Sequence, residues 1–365
     1  MIVHFLSGNY TKYLAYLPLF IGSFIISLLA TPIIGIIAKK LNIIDLPGTQ
    51  RKDPTAQRRI HETPKLKLGG AAVIFPFIFI ILTYIPISKE LISFIIGISI
   101  LLITGIVDDI FDISAIFQII MQAIATLIVI FSGININILS NPLGGILNLN
   151  ILNVSIMGNM ISILPILITF IWILFVINAV KWMAGSDGLA EGNISIAAVI
   201  IALLSIRFET HYTAIMGFAF AGLMLGLLFY NFYPSKIFSG STGKSVYGFR
   251  TAGVAIYSGA KLASTILVLA IPIIDAIWVI ITRIKEEKPK GIVSLMKIND
   301  KRHLHHRLIS LGYSQKTIAL VEYSITSVLG ILALLITGFH KALILAIFIF
   351  LIFLTVIFIT KKSKS

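Results

Sequence analysis

Five short segments of this 365-residue chain carry the residue types that chemistry needs. Asp108 and Asp109 stand side by side in Gly105-Ile-Val-Asp-Asp-Ile-Phe-Asp112-Ile-Ser. Adjacent carboxylates repel each other and lose solvation near lipid. They are tolerated where a cation neutralises them, and Mg2+ with a phosphate substrate is the usual case. A solvated helix end accounts for the pair equally well at this point. Residues 178–193 read Asn-Ala-Val-Lys-Trp-Met-Ala-Gly-Ser-Asp-Gly-Leu-Ala-Glu-Gly-Asn. Gly185 and Gly188 flank Asp187, in a tight polar loop able to offer backbone N–H groups and one carboxylate to a ligand. The plain alternative is a helix-breaking turn. Residues 238–245 read Phe-Ser-Gly-Ser-Thr-Gly-Lys-Ser and end in Gly243-Lys244-Ser245. A P-loop needs Gly at 238, where Phe stands, and a preceding strand in a parallel sheet. A small-residue loop that lets phosphate approach the backbone stays open. His303, His305, His306 and Arg307 form a fourth cluster. Zinc is one reading, but carboxylate or Cys partners at metal spacing are missing. A diphosphate suits this Arg, Lys and His mixture better, through charge-assisted hydrogen bonds; a basic loop lying on anionic lipid is the alternative. The fifth segment, 45–70, holds Asp45-Leu-Pro47 and then Arg58-Arg59-Ile-His61-Glu-Thr-Pro64-Lys-Leu-Lys67-Leu-Gly69-Gly70. By itself it shows only a basic, Pro-broken loop.

The composition dictates what must position these segments. The chain is 58% hydrophobic and 12% charged, with mean hydropathy +1.01. A soluble protein carries about a quarter charged residues. This excludes a disordered chain, a nucleic-acid-binding domain and an ordinary soluble enzyme. The net charge of +14 fits basic loops facing anionic lipid, so no nucleic-acid partner is expected. Cys is absent, which removes disulfides and thiolate metal sites. Residues 1–15 lack a basic n-region and a small-residue cleavage site, so no secretory signal is expected.

A helix needs about 20 apolar residues to cross the hydrocarbon core. Eleven runs qualify: 16–38, 69–87, 90–107, 114–132, 162–180, 194–207, 211–232, 243–260, 262–282, 317–337 and 341–360. The sixth is short, and Arg250 interrupts the eighth. The expected fold is therefore an all-α, polytopic membrane protein with the N-terminus outside and the C-terminus cytoplasmic. Loop 39–68 then carries eight Lys and Arg and loop 283–316 carries nine, all inside. The outer side keeps Lys12, Lys89, Arg207, Lys261 and Lys341. That asymmetry obeys the positive-inside rule. Of the acidic residues, Glu90 and Glu209 fall outside, and Asp275 and Glu322 within spans. Any chemistry belongs at the inner face.

In this order and on one face, the segments resemble the polyprenyl-phosphate N-acetylhexosamine-1-phosphate transferases. This membrane family includes phospho-N-acetylmuramoyl-pentapeptide transferase. The similarity is greater to the branch that starts O-antigen, enterobacterial common antigen and teichoic acid linkage units. It runs from about Asp45 to Ser314. Asp108-Asp109-x-Phe-Asp-Ile-Ser, with Gln122 downstream, looks like the family's Asp-Asp motif. Asn178-Ala through Gly185-x-Asp187-Gly-Leu-Ala looks like its Asn-Ala-x-Asn-x-x-Asp-Gly-x-Asp-Gly-Leu-Ala. Asn231-x-x-Pro234-x-Lys236-Ile-Phe-x-Gly240 looks like the stretch before its Gly-Asp-x-Gly-Ser loop. His303-x-His305-His306-Arg307 looks like its histidine motif. Arg58, Arg59, His61, Pro64 and Gly69-Gly70 look like its first cytoplasmic motif.

The resemblance implies one transmembrane transferase domain over 1–365, in a multi-pass protein of the bacterial cytoplasmic membrane. Its active-site loops would be 39–68, 108–113, 181–193, 233–243 and 283–316. It implies that undecaprenyl phosphate attacks the β-phosphate of a UDP-N-acetylhexosamine, UDP-GlcNAc by default, releasing UMP. Mg2+ or Mn2+ is the implied cofactor and a homodimer the implied assembly. Asp108 would activate the lipid phosphate, with Asp109 beside it. Asp109 and Asp187 would hold metal. Asn178, Lys181, Gly185, Asp187, Lys244, Arg58, His61, His303, His305, His306 and Arg307 would bind substrate.

The chain departs from the family pattern inside the site. Lys181 stands for Asn, Ala184 for Asp, Ser241 for a metal-binding Asp, Lys244 for Ser, and Ile116 for Lys. About eight extra residues separate Pro47 from Arg58. Two carboxylates go and two ammoniums arrive. Either Lys181 and Lys244 take over the neutralising role of the cation, or the chain binds lipid phosphate or nucleotide without turnover. A transporter is the alternative of another class, but it would carry ionisable groups at the midplane and internal repeats; here no repeat is seen, and almost all ionisable groups fall in the cytoplasmic loops, Asp275 and Glu322 being the exceptions.

Overall fold

The structure is a computed structural model. It describes residues 11–50, 59–141, 145–156, 159–257, 262–291, 294–295, 298, 300–336 and 338–362. Arg58 and Lys261 lie outside the described residues.

Helices follow the apolar runs: α1 (Leu17–Lys40), α2 (Ala71–Tyr84), α3 (Lys89–Phe111), α4 (Ala115–Phe131), α5 (Ile163–Met183), α6 (Leu189–Arg207) and α7 (His211–Asn231). Then come α8 (Gly240–Tyr257), α9 (Leu262–Val268), α10 (Ala270–Glu287), α11 (Leu304–Ser310), α12 (Gln315–Leu335) and α13 (Gly338–Lys362). Ser88, Ser114 and Ser314 cap α3, α4 and α12 by accepting from the N–H three residues on, at 3.2, 3.3 and 3.1 Å. Three antiparallel two-stranded ribbons complete the chain. They pair β1 (Ile44–Asp45) with β2 (Lys65–Leu66), β3 (Ile138–Ser140) with β4 (Ile146–Asn148), and β5 (Asn153–Ile156) with β6 (Asn159–Ser162).

The chain is a helical, multi-pass membrane protein, and its helices differ from the expected spans in three ways. Among the described residues seven helices are long and apolar enough to cross a membrane, or eight if a bent pair counts as one span. The bent pair is α9 with α10, folded by 80°, where one continuous run over 262–282 was expected. Pro272 sits in the first turn of α10, where its missing N–H and its ring disfavour a helix continuing from α9. The sixth helix is longer than expected because α6 begins at Leu189, straight after Gly188 at φ +70°, and takes in the polar Glu191 and Asn193.

The eighth run is the most informative. With α5 and α3 packed along it and α2 beside it, α8 is buried over nearly its whole length. Its Ser, Thr, Lys and Arg content makes it a poor lipid-facing helix, and protein rather than lipid surrounds it. Arg250 is fully buried on α8, its guanidinium 4.5 Å from the Phe220 ring centre and 5.7 Å from that of Phe77. Elsewhere α1 and α7 approach through Gly222 and Gly226, where an added Cβ would lie 2.3 and 2.6 Å from the Phe20 and Phe24 carbonyl oxygens. This is the small-xxx-small packing of membrane helices.

Candidate functional site

The five polar segments meet at one end of the bundle. Segment 65–70 is stitched to 235–240: Phe238 N–H donates to the Leu66 carbonyl at 2.8 Å. Gly69 and Gly70 N–H donate to the Phe238 and Ser239 carbonyls, both at 2.9 Å. Lys65 reaches the Ser235 carbonyl at 2.6 Å. The start of α8 lies against α2 and α3 so closely that a Cβ on Gly70 would meet Gly243 Cα at 2.4 Å. One on Gly105 would meet the Ser241 carbonyl at 2.5 Å.

Asp109 is what holds the start of α8. Its carboxylate accepts from Ser241 N–H at 2.9 Å, Thr242 N–H at 3.0 Å and the Thr242 hydroxyl at 2.7 Å. A buried carboxylate at a helix N-terminus satisfies orphan N–H groups and meets the positive end of the dipole. The first N–H groups of α8 are therefore occupied from within. The 238–245 stretch is a packed helix start rather than a loop open to phosphate, which corrects that expectation.

Asp108, one residue earlier, is half-buried and differently engaged. Its carboxylate Oδ1 accepts from Gln118 Nε2, at 2.8 Å. Gln118 Oε1 in turn accepts from Lys181 Nζ. Lys181 thus acts on Asp108 through Gln118. Asn178, one turn deeper, gives its amide to Gln122 Oε1 at 2.9 Å and the Leu174 carbonyl at 2.8 Å, which ties α5 to α4.

Asp187 is buried, and its Oδ2 accepts from Ser235 N–H at 2.9 Å. Gln315 Oε1 accepts from the Asp187 N–H and from the Ser186 hydroxyl, both at 3.0 Å. Glu191, fully buried, accepts from the Ser239 hydroxyl. A Cβ on Gly185 would collide with His305 Nε2 at 2.6 Å, so this glycine lets the histidine segment close over the loop.

The histidines are ordered by Asp275. Its Oδ2 lies 2.7 Å from His303 Nδ1 and its Oδ1 accepts from Leu304 N–H at 2.7 Å, which fixes the start of α11. The His303 and His305 rings stack at 5.9 Å, and the His306 ring lies tilted against His305 at 4.3 Å. Burial first, and then the neighbouring His306, His303 and Lys244, push the His305 pKa well below 6.5. Arg307 is buried at the same end. In the first segment Asp45 accepts from Arg59 Nε at 2.9 Å, and its Oδ2 lies 3.8 Å from His61 Nε2. Burial raises the Asp45 pKa, but the Arg59 hydrogen bond and charge, with Lys67 and His61, hold it below its ordinary value.

The residue that sequence reasoning passed over is Lys67. Its buried ammonium lies 3.9 Å from Asp109 Oδ1, 3.9 Å from Asp112 Oδ1 and 4.0 Å from Asp45 Oδ1. The signal was weak because Lys67 is one basic residue in a basic loop. Lys244, by contrast, has no carboxylate within 4.0 Å among the described residues, although Glu191, Asp45 and Asp109 act on it electrostatically.

Residues 91–259 match the sequence profile of glycosyl transferase family 4. The chain is 28% identical to a protein of Bacillus subtilis (strain 168) named "Probable undecaprenyl-phosphate N-acetylglucosaminyl 1-phosphate transferase", over 93% of this chain and 88% of that one. It is 25% identical to a decaprenyl-phosphate N-acetylglucosaminephosphotransferase of Mycobacterium leprae (strain TN), over 82% and 78%. With a phospho-N-acetylmuramoyl-pentapeptide-transferase of Caldicellulosiruptor bescii it shares 32% identity over 44% of this chain and 48% of that one. The family 4 profile covers Asp108, Asp109, Asp187 and α8, and stops before the histidine segment.

A divalent cation does not fit the residues as they stand. Among the described residues no three His, Asp or Glu side chains form a group that could hold a metal ion. Both oxygens of Asp109 are taken by the start of α8, Asp187 Oδ2 holds the Ser235 N–H, and the Lys67 ammonium stands among three carboxylates.

Proposed function

We propose that the chain transfers N-acetylglucosamine-1-phosphate from UDP-N-acetylglucosamine to a polyprenyl phosphate, undecaprenyl phosphate by default, at the inner face of a bacterial cytoplasmic membrane. An oxygen of the lipid phosphate attacks the β-phosphorus. The bond from that phosphorus to the bridging oxygen breaks, and the oxygen leaves with the α-phosphate as UMP. No net proton is gained or lost when both monoesters are dianions. The observation that carries this reading is the meeting of the Asp108, Asp187, Lys244 and His303–Arg307 segments at one end of an apolar bundle, in a chain similar along most of its length to two polyprenyl-phosphate sugar-phosphate transferases.

Phosphoryl transfer is mostly positioning and charge neutralisation. Asp108, half-buried and aimed by Gln118, takes the lipid-phosphate side: it accepts the proton of a monoanionic lipid phosphate, so that the dianion attacks, and returns that proton to solvent after UMP leaves. Lys181 fixes Gln118 and lends its charge. Lys244, Arg307 and the histidines face the donor diphosphate, with His303 held by Asp275. Asp109 and Asp187 keep the wall of the site in place. With eleven spans and the N-terminus outside, as proposed from the charge asymmetry of the loops, all these residues would lie on the cytoplasmic side of a single transferase unit. Asp108 argues against a chain that only binds, because its aim through Gln118 and Lys181 serves no helix end.

The test is UMP release by the full chain in detergent. Release should require both UDP-N-acetylglucosamine and undecaprenyl phosphate. Equal release without lipid would mean hydrolysis and would overturn the proposal.

A further inference from the structure

An acidic pocket that handles phosphates must be neutralised, and here the neutralising charges are covalently attached. Lys67 Nζ is shared among Asp45, Asp109 and Asp112 at 3.9–4.0 Å and also donates to the Asp109 carbonyl at 3.4 Å. Its backbone is fixed too, with Lys67 N–H donating to the Ile43 carbonyl at 3.1 Å beside the β1–β2 ribbon. Lys181 reaches Asp108 through Gln118. Lys244, in the first turns of α8, interacts electrostatically with Glu191, Asp45 and Asp109. At 184 and 241, where the resemblance expects carboxylates, Ala and Ser stand. The Ser241 contribution is a backbone N–H given to Asp109, the opposite polarity to a metal ligand.

We infer that Lys67, Lys181 and Lys244 take the charge-neutralising place of a divalent cation in this chain, with Lys67 in the cation's seat. An ammonium is a point charge with rotatable donors, suited to neutralise carboxylates on one side and phosphate oxygens on the other. Three fixed ammoniums cost no ion capture, but they cannot impose octahedral order on the donor. The inference rests on the transferase reading. It separates from it because cation binding is read without turnover.

The experiment has two readouts on the full chain in detergent. The first titrates Mn2+ and follows the free-ion signal by electron paramagnetic resonance. Wild type should show no saturable site, and Lys67→Gln, which takes the ammonium from beside the Asp45, Asp109 and Asp112 carboxylates, should gain one. The second is sugar-phosphate transfer in Mg2+ and in EDTA. Wild type should keep its rate within about twofold in EDTA, and Lys67→Gln should lose on the order of a hundredfold there and recover in Mg2+. A stoichiometric Mn2+ site in wild type, or transfer abolished by EDTA and restored by Mg2+, overturns the inference. If Lys67→Gln does not accumulate as folded protein, the wild-type titration decides alone. Absence of transfer under every condition would fail the transferase reading, and the Mn2+ titration would still decide the seat of the cation.

Discussion

Asp108 and Asp109 are chemically identical neighbours, and the structure gives them different work. Asp109 accepts three hydrogen bonds of 2.7–3.0 Å at the buried start of α8, whereas Asp108 accepts one from Gln118. Asp109→Asn keeps the shape but leaves one carbonyl acceptor and turns an NH2 toward N–H donors. Loss of the charge-assisted bonds, with buried donors left unmet, costs about 3–5 kcal/mol. At about 2 °C per kcal/mol for a chain of this size, the melting temperature should fall by about 6–10 °C. Asp108→Asn still accepts from Gln118 and should melt within about 2 °C of wild type. Its transfer rate, however, should fall by about 10²-fold or more, because the activating group is gone. The assay is thermal unfolding in detergent followed by the fluorescence of Trp172, Trp182 and Trp278, run beside sugar-phosphate transfer. If Asp109→Asn melts with wild type while Asp108→Asn unfolds early, the division of labour is wrong.

Gly70→Ala should prevent accumulation of folded protein, since its Cβ meets Gly243 backbone at 2.4 Å, while Gly22→Ala, with nothing within 4 Å, should be tolerated; detergent size-exclusion profiles compare them. His305 is held neutral, below its ordinary 6.5, so the unfolded chain takes up the proton first on acidification; stability present above pH 6.5 is lost below it. Asp45, held below 3.8, adds a loss of the same sign at lower pH. Melting temperature should therefore be flat from about pH 8 to 7 and fall toward pH 5, and His305→Gln should flatten that fall; an unchanged slope in the variant would refute the neutral histidine. Arg250 makes no hydrogen bond among the described residues and lies between Phe77 and Phe220, so Arg250→Met should cost no stability. A drop of several degrees would show that the guanidinium has a partner.

The apolar runs were legible because hydropathy reports length and lipid compatibility directly. What hydropathy cannot separate is burial in lipid from burial in protein. This is why α8, marked weak by Lys244 and Arg250, lies inside the bundle, and why the 80° turn between α9 and α10 was missed despite Pro272. The site's segments were legible as motifs, and Asp108, Asp187, Lys244 and the histidines do come to one end. Their roles were less legible, because they depend on contacts between segments far apart in the chain. The tie from Asp109 to α8 spans 133 positions and looks in sequence like half of a carboxylate pair. Gln118, rather than Gln122, serves Asp108, since the turn after α3 sends α4 back with residue 118 facing the carboxylate. Lys65 opens β2 and Lys67 follows its last residue, yet Lys67 reaches three carboxylates and Lys65 a carbonyl, a difference that spacing alone does not carry.

The central claim is that this end of the bundle joins a sugar phosphate to a lipid phosphate with Asp108 as the activating group. The most direct measurement supplies UDP-N-acetylglucosamine labelled in its sugar to the purified chain with undecaprenyl phosphate and follows label into the lipid phase, beside Asp108→Asn. The account predicts lipid-linked label matched mole for mole by UMP, and loss of both in folded Asp108→Asn. Label that never enters the lipid phase, or transfer undiminished in Asp108→Asn, would contradict it.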